Sequence, residues 1–406
     1  MKPEARNEVL AASGIFVIAA ILLFWGLGSP YLWQDEAATA VLGERLLATG
    51  RPLAYDGTNL IAMDSFSDED PATIGERTRT ADASLRYLIA RGDFRSDLAW
   101  TGQPWGQFFV AGASLAALGH RTAAARIPFA IAGLLTVLIL WRFAHRLFQD
   151  PWMAALAPLF LATNTYWVLH ARQCRYYALS GLFLLLTVVA FRRWMDRARA
   201  GAVWFVLAAW CWFQVDFGTF WPIVGLLGVV ALSHTRGWGA SGRASERASR
   251  GKPITGSGSA GSAEPVSPTV DPSAAATKTS GRWAVLGTFG VLLAGLAPWV
   301  WYYQLFGRYK EPAISWIGRA VGNLFHVNQF LIAVPVWLLA AFFWWRRTRQ
   351  LRAGGGEPAR ATETAALTIV FVALVSVPLL YLWVTAVTPW YFYRYFVALT
   401  PLTALL

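Results

Sequence analysis

Apolar stretches of about 20 residues recur along the whole chain, and they constrain its fold more than any other feature of the sequence. A helix needs about 20 residues to cross a hydrocarbon core of roughly 30 Å. The first stretch, VLAASGIFVIAAILLFWGLG, covers residues 9–28 and is too long and too apolar for a signal peptide. Since 56% of the 406 residues are hydrophobic and only 14% are charged, we expect an all-α polytopic membrane protein.

The apolar stretches predict about ten transmembrane helices. They fall near residues 9–28, 124–145, 151–168, 177–192, 201–214, 219–234, 283–303, 327–345, 365–386 and 395–406. The last stretch has about half the length of a full span, so whether the natural chain continues beyond Leu406 stays open.

The positive charges indicate the orientation of these helices. The formal net charge is +12, and arginine clusters such as FRRWMDRARA and WWRRTRQLRAGGG lie in short segments between apolar stretches. This distribution follows the positive-inside rule with a cytoplasmic N-terminus, and it is not typical of a nucleic-acid-binding surface. We therefore predict a multi-pass protein of the inner (plasma) membrane, surrounded by membrane lipids and without a nucleic-acid partner.

Two long segments interrupt a single transmembrane domain that spans residues 1–406. Residues 29–123 form the first external loop, and within it DEAATAVLGERLLATGRP and WGQFFVAGASLAALG predict interfacial or re-entrant helices. Residues 235–282 are rich in Ser, Gly, Ala, Pro and Thr and predict a disordered cytoplasmic linker.

Two adjacent acids, Asp35 and Glu36, follow the first apolar stretch where it meets water on the outer side. Acids in the first turn of a helix accept backbone N–H bonds and favour the positive end of the dipole, so helix capping accounts for them. A partly buried carboxylate at this place could also act as a general base. The two interpretations do not exclude each other.

Arginines beside tyrosines mark a second outer segment, LHARQCRYYAL, at residues 169–179. A charged turn would suffice on the inner side, but Arg172 and Arg175 lie where the positive-inside rule disfavours them. Arg with a neighbouring Tyr176 is suited to a phosphate group, through forked donors and a hydroxyl. Arg394, in WYFYRYF, repeats the pattern, and Lys310, in FGRYKEP, is a further candidate.

The remaining titratable residues suggest no metal site. The five histidines show no ligand spacing, although His170 beside Arg172 could help to bind an anion. The acidic segment DSFSDEDP at residues 64–71 is better explained as a solvated loop than as a cation site. We predict neither a metal ion nor another cofactor.

Taken together, four segments resemble a known family. The acidic pair after the first helix is followed by QPWGQFFVAGASLAALGHRTAAARIPFAIAGLLTVLILWRFAHRLF, then by ARQCRYYALSGLFLLL, and near the end by YRYFVALTPLTALL. In this order they resemble the bacterial branch of the protein O-mannosyltransferase superfamily, which comprises membrane glycosyltransferases of the GT-C fold (family 39-like). The aminoarabinose transferases that act on lipid A are included in this group.

This resemblance implies transfer of a sugar from a polyprenyl-phosphate donor to a lipid, polysaccharide or protein acceptor on the non-cytoplasmic face. By resemblance, Asp35 matches the catalytic aspartate, with Glu36 as its acidic neighbour. Arg172, Arg175 and Tyr176 match the loop that lies beside the donor phosphate. Where relatives usually carry His-Pro-Pro, this chain has Gln103, Pro104 and Trp105, which puts a histidine role there and the acceptor class in doubt.

The expected reaction is an inverting single displacement without a metal, in which Asp35 takes the proton of the acceptor hydroxyl and cationic side chains neutralise the departing phosphate. A polytopic transporter or lipid flippase is the alternative, since ionisable residues in membrane proteins often line a permeation path. Transporters place such residues at mid-helix or break helices in repeated halves, whereas here the charges lie at helix ends and no internal repeat is evident. A structural scaffold would leave the acidic external loop unexplained.

Overall fold

The structure is a computed structural model that describes residues 3–57, 61, 97–148, 150–198, 200–250, 272–305, 314–353, 357–388 and 391–406. These residues form helices, and their one isolated bridge joins Leu53 to Ala99 in antiparallel fashion. The predicted all-α polytopic fold is confirmed.

The helices of the N-terminal half include both predicted helices of the external loop. In chain order they are α1 (Pro3–Phe24), α2 (Gln34–Thr49), α3 (Gly106–Leu118), α4 (Thr122–Leu147), α5 (Pro151–Thr163), α6 (Thr165–Ala171), α7 (Tyr177–Met195) and α8 (Gly201–Phe213).

The C-terminal half is less regular. It contains α9 (Phe217–Arg250), α10 (Pro272–Tyr302), α11 (Trp316–His326), a π-helical turn (Val327–Leu331), α12 (Val334–Ala353), α13 (Glu357–Val387), a 3₁₀ segment (Tyr393–Leu399) and the short α14 (Thr400–Thr403).

By length and composition, five of the described helices can cross a membrane. They are α4, α7, the 217–234 part of α9, the 281–302 part of α10 and the 363–387 part of α13. Two bent pairs, α5 with α6 and α11 with α12, raise the number to seven if each pair counts as one span. The apolar part of α1 and the whole of α8 are shorter.

Two predicted helices differ from the observed ones. The helix predicted at 327–345 is broken. Asn328 accepts a hydrogen bond from the backbone N–H of Val334, and Pro335 lies in the first turn of α12, where proline is tolerated. The axis bends there by 74°. Residues 395–406 form mainly the 3₁₀ segment, not a spanning helix.

Both ends of the predicted disordered linker at 235–282 are helical. Helix α9 continues to Arg250, and α10 begins at Pro272. Residues 251–271 lie outside the described residues, so the linker there stays a prediction.

The two helices of the external loop cross at a pair of glycines. A Cβ atom on Gly43 of α2 would lie 2.5 Å from the carbonyl oxygen of Phe108, and one on Gly112 of α3 would lie 2.3 Å from the carbonyl oxygen of Gly43. The backbones therefore touch, and larger side chains cannot be accommodated without a shift. Gly50, with φ of +76°, ends α2 in the left-handed conformation.

Candidate functional site

The N-terminus of α2 places Asp35 and Glu36 in different environments. Glu36 is fully buried, whereas the Asp35 side chain is 27% exposed. Glu36 also reaches back to the backbone N–H of Trp33 at 3.4 Å, so Glu36 and not Asp35 helps to cap the helix. Asp35 is left free to face the residues around it.

Two arginines from distant parts of the sequence share one oxygen of Asp35. Arg175 Nη2 lies 3.2 Å and Arg394 Nη1 lies 3.0 Å from Asp35 Oδ2. Arg175 comes from the loop between α6 and α7, and Arg394 from the 3₁₀ segment, which packs against α7. Two of the predicted phosphate-binding cations and the predicted base thus form one cluster, which we call the Asp35 cluster.

Arg175 is held in place by further contacts. Its Nη1 lies 3.3 Å from each of three oxygens, the Asp35 carbonyl, Thr39 Oγ1 and Gln103 Oε1. The guanidinium carbon lies 5.6 Å from the centre of the Tyr176 ring, within the range of a cation–π contact. Gln103 and Tyr176, both predicted from sequence, therefore contact the cluster through Arg175.

Glu36 is paired with Arg126, a residue that sequence reasoning missed. Arg126 Nε and Nη2 donate to the two Glu36 oxygens at 2.8 and 2.6 Å, and the backbone N–H of Cys174 donates to Glu36 Oε1 at 2.7 Å. Arg126 also donates to the carbonyls of Leu27, Pro30 and Tyr31. One buried ion pair thus joins α1, α2, α4 and the loop that carries Arg175. The sequence does contain a sign of Arg126, because it is a cation at the predicted outer end of α4, where the positive-inside rule disfavours positive charge.

Two of the predicted residues that the structure describes, Arg172 and His170, are not part of the Asp35 cluster. Arg172 donates instead to the carbonyl of Trp25 after α1. His170 is buried, with Nδ1 at 2.7 Å from the Tyr166 carbonyl oxygen and its ring packed among Tyr166, Tyr177 and Tyr393. Lys310 lies outside the described residues.

Asp216, at the start of α9, is another residue that sequence reasoning missed. Its Oδ1 accepts the backbone N–H groups of Gly218 (3.0 Å) and Thr219 (3.2 Å), and its Oδ2 accepts the hydroxyls of Ser180 (2.7 Å) and Thr219 (2.6 Å). Burial raises the pKa of Asp216, and these four donors oppose that rise. An acid between two apolar stretches was a signal as visible as Asp35.

Tyr176 lines the same cavity as Asp216 and contacts Arg175 of the Asp35 cluster. Burial raises the pKa of Tyr176 well above 10, and the neighbouring Tyr177 and Asp216 raise it further, against the opposing charge of Arg175. The phenol therefore stays protonated and can donate a hydrogen bond.

Comparison with protein families finds one match. The model of the dolichyl-phosphate-mannose-protein mannosyltransferase family matches residues 103–233. The resemblance to the GT-C glycosyltransferase superfamily is confirmed. The matched segment covers about a third of the chain and holds Gln103, Arg175 and Tyr176, while Asp35 and Arg394 lie outside it. No curated protein and no solved structure matches the chain.

The GT-C match and the apolar helices support a multi-pass membrane glycosyltransferase. The Asp35 cluster joins residues inside the matched segment to residues outside it, because Arg175 lies within 103–233 and its partner Asp35 lies before it. The fold thus brings both parts of the chain together at one group of charges.

Proposed function

We propose that this chain moves a hexosyl or pentosyl group from a polyprenyl-phosphate donor to an acceptor hydroxyl at the non-cytoplasmic face of the plasma membrane. One observation carries the proposal: Asp35, the candidate base, shares an oxygen with two arginines that come from the second external loop and from the C-terminal segment. A base and two phosphate-binding cations are the groups that this transfer requires.

The charges of the Asp35 cluster suit a phosphate diester. Arg175 and Arg394 carry two positive charges against the single negative charge of Asp35, so the cluster has one positive charge in excess. A polyprenyl-phosphate sugar carries one negative charge on its phosphate. Its phosphate oxygens would compete with Asp35 for the guanidinium groups, and the forked donors of arginine match such oxygens well.

Donor binding in this way would also release the base. When the phosphate oxygens take over the guanidinium groups of Arg175 and Arg394, the carboxylate of Asp35 is free to accept a hydrogen bond from the acceptor hydroxyl. Asp35 then accepts the proton of the acceptor hydroxyl, whose oxygen forms a bond to the anomeric carbon. The bond from that carbon to the phosphate oxygen breaks, the phosphate keeps the electron pair, and the anomeric configuration inverts.

Other residues have supporting roles in this proposal. The Glu36–Arg126 pair fixes the start of α2 and therefore the position of Asp35. Gln103 and Tyr176 hold Arg175. For Arg172, His170 and Lys310 a role in binding donor or acceptor stays a prediction, as do metal independence and the bacterial branch, while the acceptor is a lipid, a polysaccharide or a protein.

The phosphate site can be tested by comparing Arg175 with Arg172, three residues before it. Arg175→Ala is expected to weaken binding of polyprenyl phosphate to the purified protein, and Arg175→Lys to restore it in part, because an ammonium keeps the charge and loses the planar fork. Arg172→Ala is the comparison variant, since Arg172 contacts Trp25 and not Asp35. Unchanged binding there would exclude Arg172 from the phosphate site, and weaker binding would support its predicted role. Equal binding by wild type and Arg175→Ala would show that Arg175 does not bind the phosphate.

The substrates can be identified in cells. Mass spectrometry of glycolipids, polysaccharides and glycoproteins from cells with and without the protein should show one sugar that is missing from one acceptor class. Identical profiles, together with accumulation of an unrelated lipid or solute on one side of the membrane, would favour the transporter.

A further inference from the structure

A cavity of about 220 Å³ lies between the start of α9, the C-terminal end of α13 and the segment that precedes α3. Drug-sized ligands occupy pockets of roughly 300–1,000 Å³, so this volume suits a smaller group. A single sugar ring has that size, while a polyprenyl chain does not. The residues around the cavity therefore decide whether a sugar would bind there.

The cavity lies beside the Asp35 cluster, because residues in contact with Arg175 and the chain neighbour of Arg394 line it. Tyr176 and Gln103 line it, and both contact Arg175. Tyr395 also lines it and follows Arg394 directly in the chain. In a glycosyl phosphate a single oxygen joins the ring to the phosphorus. A phosphate held by these two arginines would therefore place its sugar at this wall.

Three aromatic residues give the cavity both apolar faces and unused polar groups. They are Tyr176, Tyr395 and Trp383. The buried indole N–H of Trp383 has no hydrogen-bond partner within the described residues. The hydroxyls of Tyr176 and Tyr395 make no hydrogen bond to another described residue. Buried donors rarely stay unpaired, and ligand hydroxyls can satisfy them while the ring packs on the aromatic faces.

The side of the cavity formed by α9 is rigid. Asp216 lines it, and its four hydrogen bonds occupy the four usual acceptor positions of a carboxylate. Trp212 Nε1 holds Ser180 in turn, at 3.1 Å from Ser180 Oγ. Asp216 is thus a positioning residue, and the three aromatic residues are the ones with groups to offer.

We propose that this cavity binds the sugar ring of the lipid-linked donor, with Tyr176, Tyr395 and Trp383 as the residues that select it. The proposal rests on the proposed function, since it requires a donor phosphate at Arg175 and Arg394. It goes further because it names the residues that recognise the sugar, whereas the proposed function names the residues that bind the lipid phosphate.

The test compares two classes of ligand on the purified full-length protein in lipid nanodiscs. One ligand is polyprenyl phosphate without sugar, and the others carry mannose, glucose, galactose or arabinose on the same phosphate. Wild type is expected to bind at least one sugar-bearing lipid more tightly than the bare lipid. Tyr395→Phe removes one donor and keeps the ring, and Trp383→Phe removes one donor and leaves a smaller aromatic ring, so each should lower this preference about three- to tenfold.

Tyr381→Phe is the matched control, because Tyr381 lies on the same helix as Trp383 and donates to the carbonyl of Ala320 at 3.1 Å. It should leave the preference unchanged even if it lowers stability. Arg394→Gln should weaken binding of bare and sugar-bearing lipids by the same factor.

The outcomes separate the two proposals. If wild type binds both classes of lipid and the Phe variants keep the full preference, or lose affinity equally for both classes, the sugar cavity is wrong while the phosphate site stands. A wild type that binds the bare lipid but prefers none of the four sugars also overturns the cavity. If wild type binds neither class, the proposed function fails and the cavity proposal fails with it.

Discussion

At the scale of single residues, the two adjacent acids have separate tasks. Glu36 is fully buried and accepts from both Arg126 and the backbone of Cys174, whereas Asp35 is partly exposed and faces Arg175 and Arg394. The sequence pointed to both acids but could not distinguish them, because their partners lie at least 90 positions away along the chain.

This difference predicts that loss of charge lowers stability more at Glu36 than at Asp35. Glu36→Gln leaves Arg126 buried without its counter-ion and should cost about 3–5 kcal/mol, seen as a lower apparent melting temperature in detergent. Asp35→Asn should lower the melting temperature less, because Asp35 is partly exposed and Arg175 keeps its hydrogen bonds to Thr39 and Gln103.

A second variant tells a broken ion pair from a general packing defect. In the double variant Glu36→Gln with Arg126→Gln, the loss should be smaller than the sum of the two single losses, since no charge is left unpaired. Strictly additive losses would show that the pair is not coupled.

At the scale of helices, hydrophobic pattern predicted most of the observed elements. The helices at 122–147, 177–195 and 201–213 begin and end within a few residues of the predicted ranges, because apolar length determines them. The prediction was wrong at 327–345, where one side chain, Asn328, caps a new helix. A local hydrogen bond of this kind leaves no mark in the hydrophobic pattern.

The crossing of α2 and α3 is expected to be intolerant of a single methyl group. Gly43→Ala would place a Cβ atom 2.5 Å from the Phe108 carbonyl oxygen. It should cost about 1–3 kcal/mol or move α2 together with Asp35, which lowers both melting temperature and activity. Gly225→Ala in α9 is the matched control, since no atom lies within 4 Å of its added Cβ. Equal stability of the two variants would contradict the close contact.

At the scale of the whole molecule, the orientation in the membrane stays a prediction from charge. The arginine clusters place 235–282 inside and 29–123 outside. The sequence also contained the residues of the Asp35 cluster, but not the fact that they meet. Their contact depends on how distant helices pack, and a single sequence without contact information cannot supply it.

Cysteine labelling tests this orientation directly. In a background without Cys174 and Cys211, Ser67→Cys should react with membrane-impermeant thiol reagents in intact cells, whereas Ser257→Cys should react only after permeabilisation. The reverse pattern would place the Asp35 cluster on the cytoplasmic side, where nucleotide sugars are present and a lipid-linked donor is not required.

The most direct test of the central claim is the turnover of purified Asp35→Asn with a donor and acceptor that the wild type uses. Asparagine keeps the size of the side chain and lacks the basic oxygen, and general-base loss typically lowers the rate about 10²- to 10⁴-fold. We predict that this variant inserts, melts near the wild-type temperature and binds polyprenyl phosphate, yet transfers sugar at a rate lower by that factor. Near-normal turnover would contradict the assignment of Asp35 as the catalytic base.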